Sequence, residues 1–253
     1  MFRDRLATES LVGTWVSLSD PAVAEMTAPG FDFVMLDTEH APSTTETVAE
    51  QVRAVEAAEG DAVPLARALD NDLGAIKRLL DLGVAGVMVP MVDTPEEAAQ
   101  AVEAAKFPPE GSRGVAGTRA SDYGRNLGDY LDRANDETAL IVQIETEQGL
   151  ENVVDIAATG GVDALFVGPA DLSANLGVFG EFEGETFRDA VEGVLAAGDE
   201  TGTPVGTLAT SPEGVDRYTS WGFDYVISGV DAGYLQRGAA ALRERARDGL
   251  DDA

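Results

Sequence analysis

One stretch of the chain decides how the rest is interpreted: Gly30-Phe31-Asp32-Phe33-Val34-Met35-Leu36-Asp37-Thr38-Glu39-His40. Residues 33–36 are continuously apolar, and such a run is typical of a strand covered on both faces, as in a parallel sheet. The strand would end at Asp37, Glu39 and His40, and His40 is the only histidine in the chain. Polar residues at the carboxyl end of a parallel strand lie where α/β folds place their active sites. A polar loop that caps the next helix is the alternative that this stretch alone leaves open.

Strand-like apolar runs recur eight times along the chain, and most are followed by apolar residues at helical spacing. Eight alternating units in 253 residues predict one (β/α)₈ barrel, or TIM barrel, that spans residues 1–253. An open doubly wound sheet is the competing fold, but no Gly-x-Gly-x-x-Gly pattern follows the first strand. The eight predicted strands cover residues 12–16, 33–36, 63–66, 86–89, 139–144, 164–167, 205–208 and 225–228.

One segment interrupts the alternation of strands and helices. Residues 107–138 begin with Phe-Pro-Pro-Glu-Gly-Ser-Arg-Gly and stay polar up to Thr138. Because long connections inside a compact domain are usually functional or interfacial, we expect this inserted segment to be one or the other. The predicted helices cover residues 21–28, 45–58, 72–82, 95–106, 150–158, 185–201, 212–221 and 234–248.

The charge balance excludes several classes of partner. The formal net charge is −29, and Lys77 and Lys106 are the only lysines. A surface this acidic repels nucleic acid and anionic membranes, so we expect neither as a partner. The carboxylates are spread through the predicted helices, which favours a halophilic protein that works in concentrated salt, where their mutual repulsion is screened. An acidic protein from an ordinary salt environment is the alternative.

Cysteine content and hydropathy set further limits. The chain has no cysteine, which excludes disulfides, thiolate metal sites and a cysteine nucleophile, and which fits a cytoplasmic protein. No apolar run reaches the roughly 20 residues of a membrane span. No apolar segment follows residues 1–5, so we expect no signal peptide.

Polar residues follow several of the predicted strands. In a barrel, side chains at the carboxyl ends of different strands converge on one pocket. Besides the group after the second strand, Arg67 ends the third, and Gln143 and Glu145 end the fifth. Gln143 and Glu145 are two residues apart, so both can point inward from one face of the strand. Asp171 follows just beyond the sixth strand, and the sequence therefore predicts one shared polar site.

The residue types at these strand ends indicate the chemistry of the site. Glu145 and Asp171, with no cysteine and one histidine, make a poor zinc site but a plausible site for a hard divalent ion. The alternative is that each carboxylate caps the helix that follows it. Arg67 suits a substrate carboxylate or a developing oxyanion, and a salt bridge at the barrel rim is its alternative. The backbone N–H groups of residues 168–171 could hold a small carboxylate.

Taken in order, short motifs between about Gly13 and Gly233 resemble the HpcH/HpaI aldolase family. These are class II, metal-dependent pyruvate aldolases, among them 4-hydroxy-2-oxoheptanedioate and 2-dehydro-3-deoxyglucarate aldolases. Each motif is weak alone, and together they are specific. The matching stretches are Asp37-Thr38-Glu39-His40, Pro64-Leu65-Ala66-Arg67, Leu80-Asp81-Leu82-Gly83, Val87-Met88-Val89-Pro90, Phe107-Pro108-Pro109-Glu110-Gly111-Ser112-Arg113-Gly114, Gln143-Ile144-Glu145-Thr146 and Gly168-Pro169-Ala170-Asp171-Leu172-Ser173.

The resemblance implies a barrel of the phosphoenolpyruvate/pyruvate type and a role for each matching residue. Glu145 and Asp171 would bind a divalent metal ion, either Mg²⁺, Mn²⁺ or Co²⁺. His40 would be the general base, and Arg67 would steady the keto or enolate oxygen. Asp37 and Glu39 would support them. The substrate would be contacted by Gln143, Gly168, the Ala170 backbone, Asp171 and Leu208.

The resemblance also implies an oligomer, commonly a hexamer, in which Asp81 reaches His40 of an adjacent subunit. On the residues alone, Asp81 lies in the last turn of a predicted helix, where the helix dipole is unfavourable to a carboxylate. That position weakly suggests a compensating partner outside the helix. A solvated aspartate in a very acidic chain is the alternative.

The activity that the resemblance implies is reversible cleavage of a 4-hydroxy-2-oxo acid to pyruvate and an aldehyde, through a metal-stabilised pyruvate enolate. A Schiff-base aldolase is disfavoured because neither Lys77 nor Lys106 ends a predicted strand. A lyase that acts on a CoA thioester such as citryl-CoA or malyl-CoA remains an alternative, as does a non-catalytic barrel that binds keto acids. The sequence does not name the aldehyde.

We expect the stability of this protein to increase with salt. Between ~0.1 M and ~1 M KCl the Debye length falls from about 10 Å to about 3 Å, which screens the repulsion among the surplus carboxylates. Thermal unfolding followed by circular dichroism should therefore give a melting temperature that rises across this range. A melting temperature that stays flat or falls contradicts adaptation to concentrated salt.

Overall fold

Eight parallel strands close into a barrel in the computed structural model, which describes residues 1–251. Each strand pairs with the next one along the chain, and β8 pairs with β1. The predicted (β/α)₈ barrel is confirmed. The strands are β1 (Leu11–Val16), β2 (Phe33–Asp37), β3 (Val63–Arg67), β4 (Gly86–Val89), β5 (Ala139–Ile144), β6 (Ala164–Val167), β7 (Val205–Ala209) and β8 (Tyr225–Val230).

Helices connect the strands and surround the barrel. None of the helices within residues 1–251 is both long and apolar enough to cross a membrane. The helices are α1 (Phe2–Leu6), α2 (Pro21–Thr27), α3 (Thr45–Ala57), α4 (Leu73–Leu80), α5 (Pro95–Ala105), α6 (Leu127–Glu137), α7 (Glu147–Glu151), α8 (Val153–Ala157), α9 (Pro169–Asn175), α10 (Glu185–Thr201), α11 (Pro212–Trp221) and α12 (Asp231–Asp251).

Alternate residues of each strand belong to two separate cores. In β2, Phe33 and Met35 join the cluster inside the barrel, whereas Val34 and Leu36 join the cluster between the barrel and the helices. This alternation follows from the two-residue period of a strand. Because both faces are covered, the strand reads as a continuous apolar run in the sequence.

Aromatic rings fill the barrel interior, and glycines make room for them. The ring of Tyr225 lies 6.3 Å from that of Phe33 and 6.3 Å from that of Phe166, measured between centroids. A Cβ atom at Gly206 would lie 2.1 Å from Cε2 of Tyr225, and one at Gly13 would lie 2.3 Å from the Phe33 ring. A side chain at either glycine would displace a ring of this core.

The inserted segment is more regular than the sequence indicated. Residues 127–137 form α6, and Tyr130 of this helix packs edge-on against Phe107, with 5.9 Å between ring centroids. The apolar side chains of Leu127, Tyr130, Leu131 and Ala134 have the spacing of one helical face, a signal that the sequence interpretation missed. The structure also differs at residues 150–158, where α7 and α8 replace one predicted helix, and after β6, where the short helix α9 precedes α10.

The last helix leaves the barrel. Helix α12 contacts β1 and β8 near its start, but most of its later residues are exposed to solvent. Leu235, Leu242 and Leu250 are exposed by 66%, 75% and 77%. Their spacing of seven and eight residues places them along one stripe of the helix.

Candidate active site

The polar side chains predicted at the strand ends form the upper layer of the barrel interior. Asp37 lies two residues beyond Met35, which faces inward, and Arg67 lies two residues beyond Leu65, which does the same. Gln143 likewise follows Ile141 in β5, and Glu145 follows Gln143. Strand periodicity therefore places these four side chains above the apolar core, at the carboxyl end of the barrel.

Arg67 is held by an ion pair across two neighbouring strands. Asp37 and Arg67 are register partners in β2 and β3. Arg67 Nε and Nη2 donate to the two carboxylate oxygens of Asp37, each at 2.9 Å. Nη1 lies 2.5 Å from Oε2 of Glu39, and the guanidinium carbon lies 4.6 Å from the centre of the Trp15 ring. These contacts leave the buried guanidinium little freedom to move.

Two further residues of the β2 stretch differ in burial. The Glu39 N–H donates to Oδ1 of Asp37 at 3.0 Å, and burial raises the pKa of the Glu39 carboxyl against the opposing effect of the Arg67 charge. The side chain of His40 is 68% exposed, and its Nε2 lies 3.9 Å from Oε1 of Glu39. His40 is therefore an accessible imidazole at the edge of a buried charged group.

Glu145 is buried and held from two sides. Its Oε1 accepts a hydrogen bond from the Met91 N–H at 2.8 Å, and its Oε2 accepts one from Gln143 Nε2 at 2.9 Å. Met91 has a φ of 53°, a left-handed conformation that costs a non-glycine residue about 1–2 kcal/mol. That conformation belongs to the turn that directs the Met91 N–H toward Glu145. The other amide atom, Gln143 Oε1, is buried and has no hydrogen-bond partner among the described residues.

The pKa of Glu145 is raised from 4.5 to about 7. Burial of the carboxylate is the largest cause, and the charges of Asp171 and Glu39 raise it further. The Met91 hydrogen bond and the charge of Arg67 act in the opposite direction. The ionised form of Glu145 therefore lacks a positive partner strong enough to offset its desolvation.

The start of α9 lies against Glu145. Gly168 precedes α9, and a Cβ atom at this position would lie 2.4 Å from Oε2 of Glu145. Ala170 and Asp171 follow in the first turn, where backbone N–H groups have no partner within the helix. Asn175 Nδ2 donates to the main-chain oxygen of Glu145 at 3.1 Å, which ties the end of the helix to β5.

The oxygen atoms around Glu145 fit a hard divalent cation. Glu145 and Asp171 offer carboxylates whose mutual repulsion a cation would relieve, and Gln143 Oε1 is an unpartnered oxygen beside them. Within residues 1–251, no three His, Cys, Asp or Glu side chains form a metal-binding cluster. A cation here would therefore depend on water or substrate for most of its ligands, as Mg²⁺ commonly does.

A cavity of about 460 Å³ lies at the carboxyl end of the barrel, and neither Glu145 nor Glu39 is among the residues that line it. Among the residues that the sequence or the family resemblance placed in the site, His40, Arg67, Gln143, Asp171 and Leu208 line this cavity. Glu145 is buried next to Gly168, which lines the cavity. The sequence interpretation missed several residues that line the cavity. Strand alternation could have identified Trp15 and Phe166. No sequence signal marked the lining residues from loops and from α11, which are Ser17, Phe182, Thr210, Ser211, Arg217 and Tyr218.

Asp81 lies away from this cavity. It caps the carboxyl end of α4, close to the amino end of β4 and thus at the opposite end of the barrel. Its Oδ1 accepts a hydrogen bond from Arg113 Nη2 at 3.0 Å, and Arg113 stacks on Phe107 at 4.4 Å. Asp81 is thus a paired carboxylate rather than a merely solvated one. A single chain does not bring it to His40.

Fold and site together define a class of protein: a (β/α)₈ enzyme with carboxylate, amide and arginine side chains at the carboxyl ends of its strands. Residues 11–237 match the HpcH/HpaI aldolase/citrate lyase family. The chain belongs to this family and is a carbon–carbon lyase of the aldolase type.

Relatives and solved structures agree with this assignment. The chain is 39% identical over 241 residues to the hydroxypyruvate/pyruvate aldolase of Chromohalobacter salexigens, with 94% of each protein covered. It is 40% identical over 237 residues to the 4-hydroxy-2-oxo-heptane-1,7-dioate aldolase of Shigella flexneri, covering 92% of this chain and 88% of the relative. A crystal structure of a HpcH/HpaI aldolase/citrate lyase family protein from Burkholderia cenocepacia superimposes with a TM-score of 0.93 at 39% identity, covering 97% and 98% of the two chains.

The raised pKa of Glu145 predicts how the stability of the metal-free protein varies with pH. Between pH 4.5 and about 7 the unfolded chain releases this proton while the folded protein retains it, so folding stability falls as pH rises. The full shift corresponds to about 3 kcal/mol. Glu145→Gln removes this penalty. Its melting temperature in EDTA, relative to that of the parent protein, should therefore increase from pH 4.5 to 7 and then level off.

Glu200→Gln is the matched control, because Glu200 is exposed on α10. Its melting temperature should stay at a constant offset from that of the parent protein over the same range. An offset for Glu145→Gln that is equally constant would contradict the buried, protonatable Glu145.

Proposed function

We propose that this protein reversibly cleaves a 4-hydroxy-2-oxo acid into pyruvate and an aldehyde, with the help of a bound divalent cation. One observation carries the proposal: the buried carboxylate of Glu145 lies beside Asp171, with Gln143 next to it and Arg67 on the same cavity. A keto acid offers the oxygen atoms and the negative charge that this combination of groups would bind.

The keto acid is held by groups from three elements. Its carboxylate accepts hydrogen bonds from the free N–H groups in the first turn of α9, at Ala170 and Asp171. The side chain of Gln143 and the guanidinium of Arg67 meet the keto group. Leu208 and Phe166 cover the apolar carbon atoms and exclude water from that side.

Glu145 and Asp171 hold the cation, and Mg²⁺, Mn²⁺ and Co²⁺ all suit oxygen ligands of this kind. When bound, the cation supplies Lewis-acid polarisation of the keto oxygen. Ionised Glu145 is the form that binds a cation, and its raised pKa means that the cation competes with a proton below about pH 7.

Two residues serve the reacting atoms directly. In the cleavage direction, exposed His40 accepts the proton of the C4 hydroxyl, directly or through a water molecule, as the C3–C4 bond breaks. Arg67 stabilises the negative charge that develops on the oxygen of the pyruvate enolate. The ion pairs with Asp37 and Glu39 orient this guanidinium before substrate arrives.

A thioester lyase is the second candidate, because the matched family includes citrate lyases. Both reactions break a carbon–carbon bond to give a carbonyl compound and an enolate, and the enolate is protonated before the product leaves. They differ in whether the cleaved substrate carries a CoA group, so assays of both kinds of substrate separate them.

The function is tested by the release of pyruvate from 4-hydroxy-2-oxo acids, with malyl-CoA and citryl-CoA assayed in parallel. Activity should be lost in EDTA and should return with Mg²⁺, Mn²⁺ or Co²⁺. Asp171→Asn should lower kcat/KM by at least about 100-fold, since one of only two protein ligands is lost. Borohydride with pyruvate should trap no adduct on Lys77 or Lys106.

Asp189→Asn serves as the control, because Asp189 is an exposed aspartate on α10. It should retain the activity of the parent protein. The proposed reaction would be contradicted by near-normal turnover in Asp171→Asn, by full activity in EDTA, or by cleavage of CoA thioesters without cleavage of 4-hydroxy-2-oxo acids.

The active form is proposed to be an oligomer, a hexamer by family resemblance, in which Asp81 orients His40 of an adjacent subunit. Asp81 lies at the opposite end of the barrel from its own cavity, so any catalytic role for it requires a second subunit. The exposed leucine stripe of α12 supports self-association, because burying it would remove apolar surface from water.

Complementation tests this arrangement. His40→Ala and Asp81→Asn should each be strongly impaired, and unfolding and co-refolding the two should partly restore activity, because some mixed sites contain both residues. Refolding His40→Ala with the double variant His40→Ala/Asp81→Asn is the control and should restore nothing. If mixed oligomers form without recovery in the first experiment, the two residues do not act across an interface.

A further inference from the structure

The cavity has a second arginine, on the side away from Arg67. Arg217 lies in α11, which follows β7, and β7 is four strands around the barrel from β3. Arg217 lines the cavity together with Phe182 and Tyr218, and its side chain is only 18% exposed. A keto acid held near Arg67 and α9 would therefore extend its remaining carbon atoms toward Arg217.

The two arginines differ in how strongly their charge is already used. Arg67 is buried and bonded to both oxygens of Asp37, with Glu39 also in contact. Arg217 has Glu183 as its acidic partner, with Nη2 lying 2.6 Å from Oε1. The side chain of Glu183 is 80% exposed. An ion pair with so exposed a partner is screened by water and salt and exchanges readily.

The start of α11 adds to the positive potential on this side. Ser211 caps the helix, and both Ser211 and Gly214 of its first turn line the same cavity. The amino end of a helix favours negative charge. Arg217 projects from the next turn, so the helix and the guanidinium both favour an anion at this end of the cavity.

We propose that Arg217 determines the specificity for the aldehyde by binding a carboxylate at the end of the aldehyde remote from its carbonyl group. Glu183 pairs with the Arg217 guanidinium until the substrate carboxylate displaces it. This inference rests on the proposed aldolase reaction and extends it. The preferred cleavage substrates are then 4-hydroxy-2-oxo acids with a second carboxylate, and the preferred acceptors are aldehyde acids. The planar guanidinium can bind such a carboxylate through two hydrogen bonds, which a lysine cannot reproduce.

The test compares two acceptors of the same shape in the condensation direction, 4-oxobutanoate and its methyl ester, each with pyruvate. The parent protein should prefer the acid. In Arg217→Gln, the ratio of kcat/KM for the acid to kcat/KM for the ester should fall by about 10-fold or more. The fall should come from a higher KM for the acid, while the ester is little affected. The ratio in Arg217→Lys should lie between those of the parent protein and Arg217→Gln.

Glu183→Gln gives a prediction in the opposite direction. With its resident partner removed, Arg217 should bind the acid more tightly, so the KM for 4-oxobutanoate should fall while the KM for the ester stays constant. Arg188→Gln is the control, because Arg188 pairs with Glu192 on the exposed side of α10. It should leave both acceptors unchanged.

These outcomes separate the inference from the reaction on which it rests. Turnover of the ester with an unchanged acid-to-ester ratio in Arg217→Gln and Glu183→Gln would overturn the role of Arg217 and leave the aldolase reaction intact. If neither aldehyde reacts while pyruvate is released from other 4-hydroxy-2-oxo acids, the aldolase reaction stands and 4-oxobutanoate is not an acceptor. Calorimetric binding of butanedioate to the protein with pyruvate then still tests Arg217. Affinity that is equal in the parent protein, Arg217→Gln and Glu183→Gln would overturn its role.

Discussion

The two-residue period of eight strands closed into a barrel is the constraint on which the rest of this structure depends. It separates an interior of aromatic rings and aliphatic side chains from an outer layer that the helices cover. Because the interior is packed with aromatic groups such as Phe33, Phe166 and Tyr225, polar side chains have room only above them. The site is therefore the last layer of the barrel interior, assembled by the same alternation that builds the core.

Electrostatic repulsion is organised at two scales in this protein. At the surface, a net charge of −29 is distributed over helices that water and salt can screen. In the site, Glu145, Asp171 and Glu39 are close together under a single strongly held arginine, so burial and repulsion raise the pKa of Glu145. The second situation is relieved only by a proton or a bound cation, which couples the stability of the site to its proposed chemistry.

The positive groups of the cavity divide the proposed substrate into two halves. Arg67 is held by two strands and two carboxylates, which suits a group that must stabilise charge without moving. Arg217 is held by one exposed glutamate on a loop, which suits a group that exchanges this glutamate for the carboxylate of a substrate. An aldolase that keeps one pyruvate site and selects its aldehyde separately would use this contrast between a rigid end and an exchangeable end.

Much of the fold and part of the site could be predicted from the sequence, because both depend on local periodicity. The eight apolar runs predicted the strands, and the residues two positions beyond their inward-facing members, such as Asp37, Arg67 and Gln143, predicted the site. The helix α6 was missed although Leu127, Tyr130, Leu131 and Ala134 have helical spacing, whereas the contact of Tyr130 with Phe107 is shown only by the tertiary structure.

Only the tertiary structure decided which groups meet. Strand register pairs Asp37 with Arg67, and the left-handed conformation of Met91, in the segment after β4, directs its N–H to Glu145. Arg217 reaches the cavity because α11 packs beside the carboxyl end of the barrel, which the position of Arg217 in the sequence does not indicate. A sequence determines its own periods locally, whereas partners distant in the chain are selected by closure of the barrel, because packing and hydrogen bonding then admit only one arrangement.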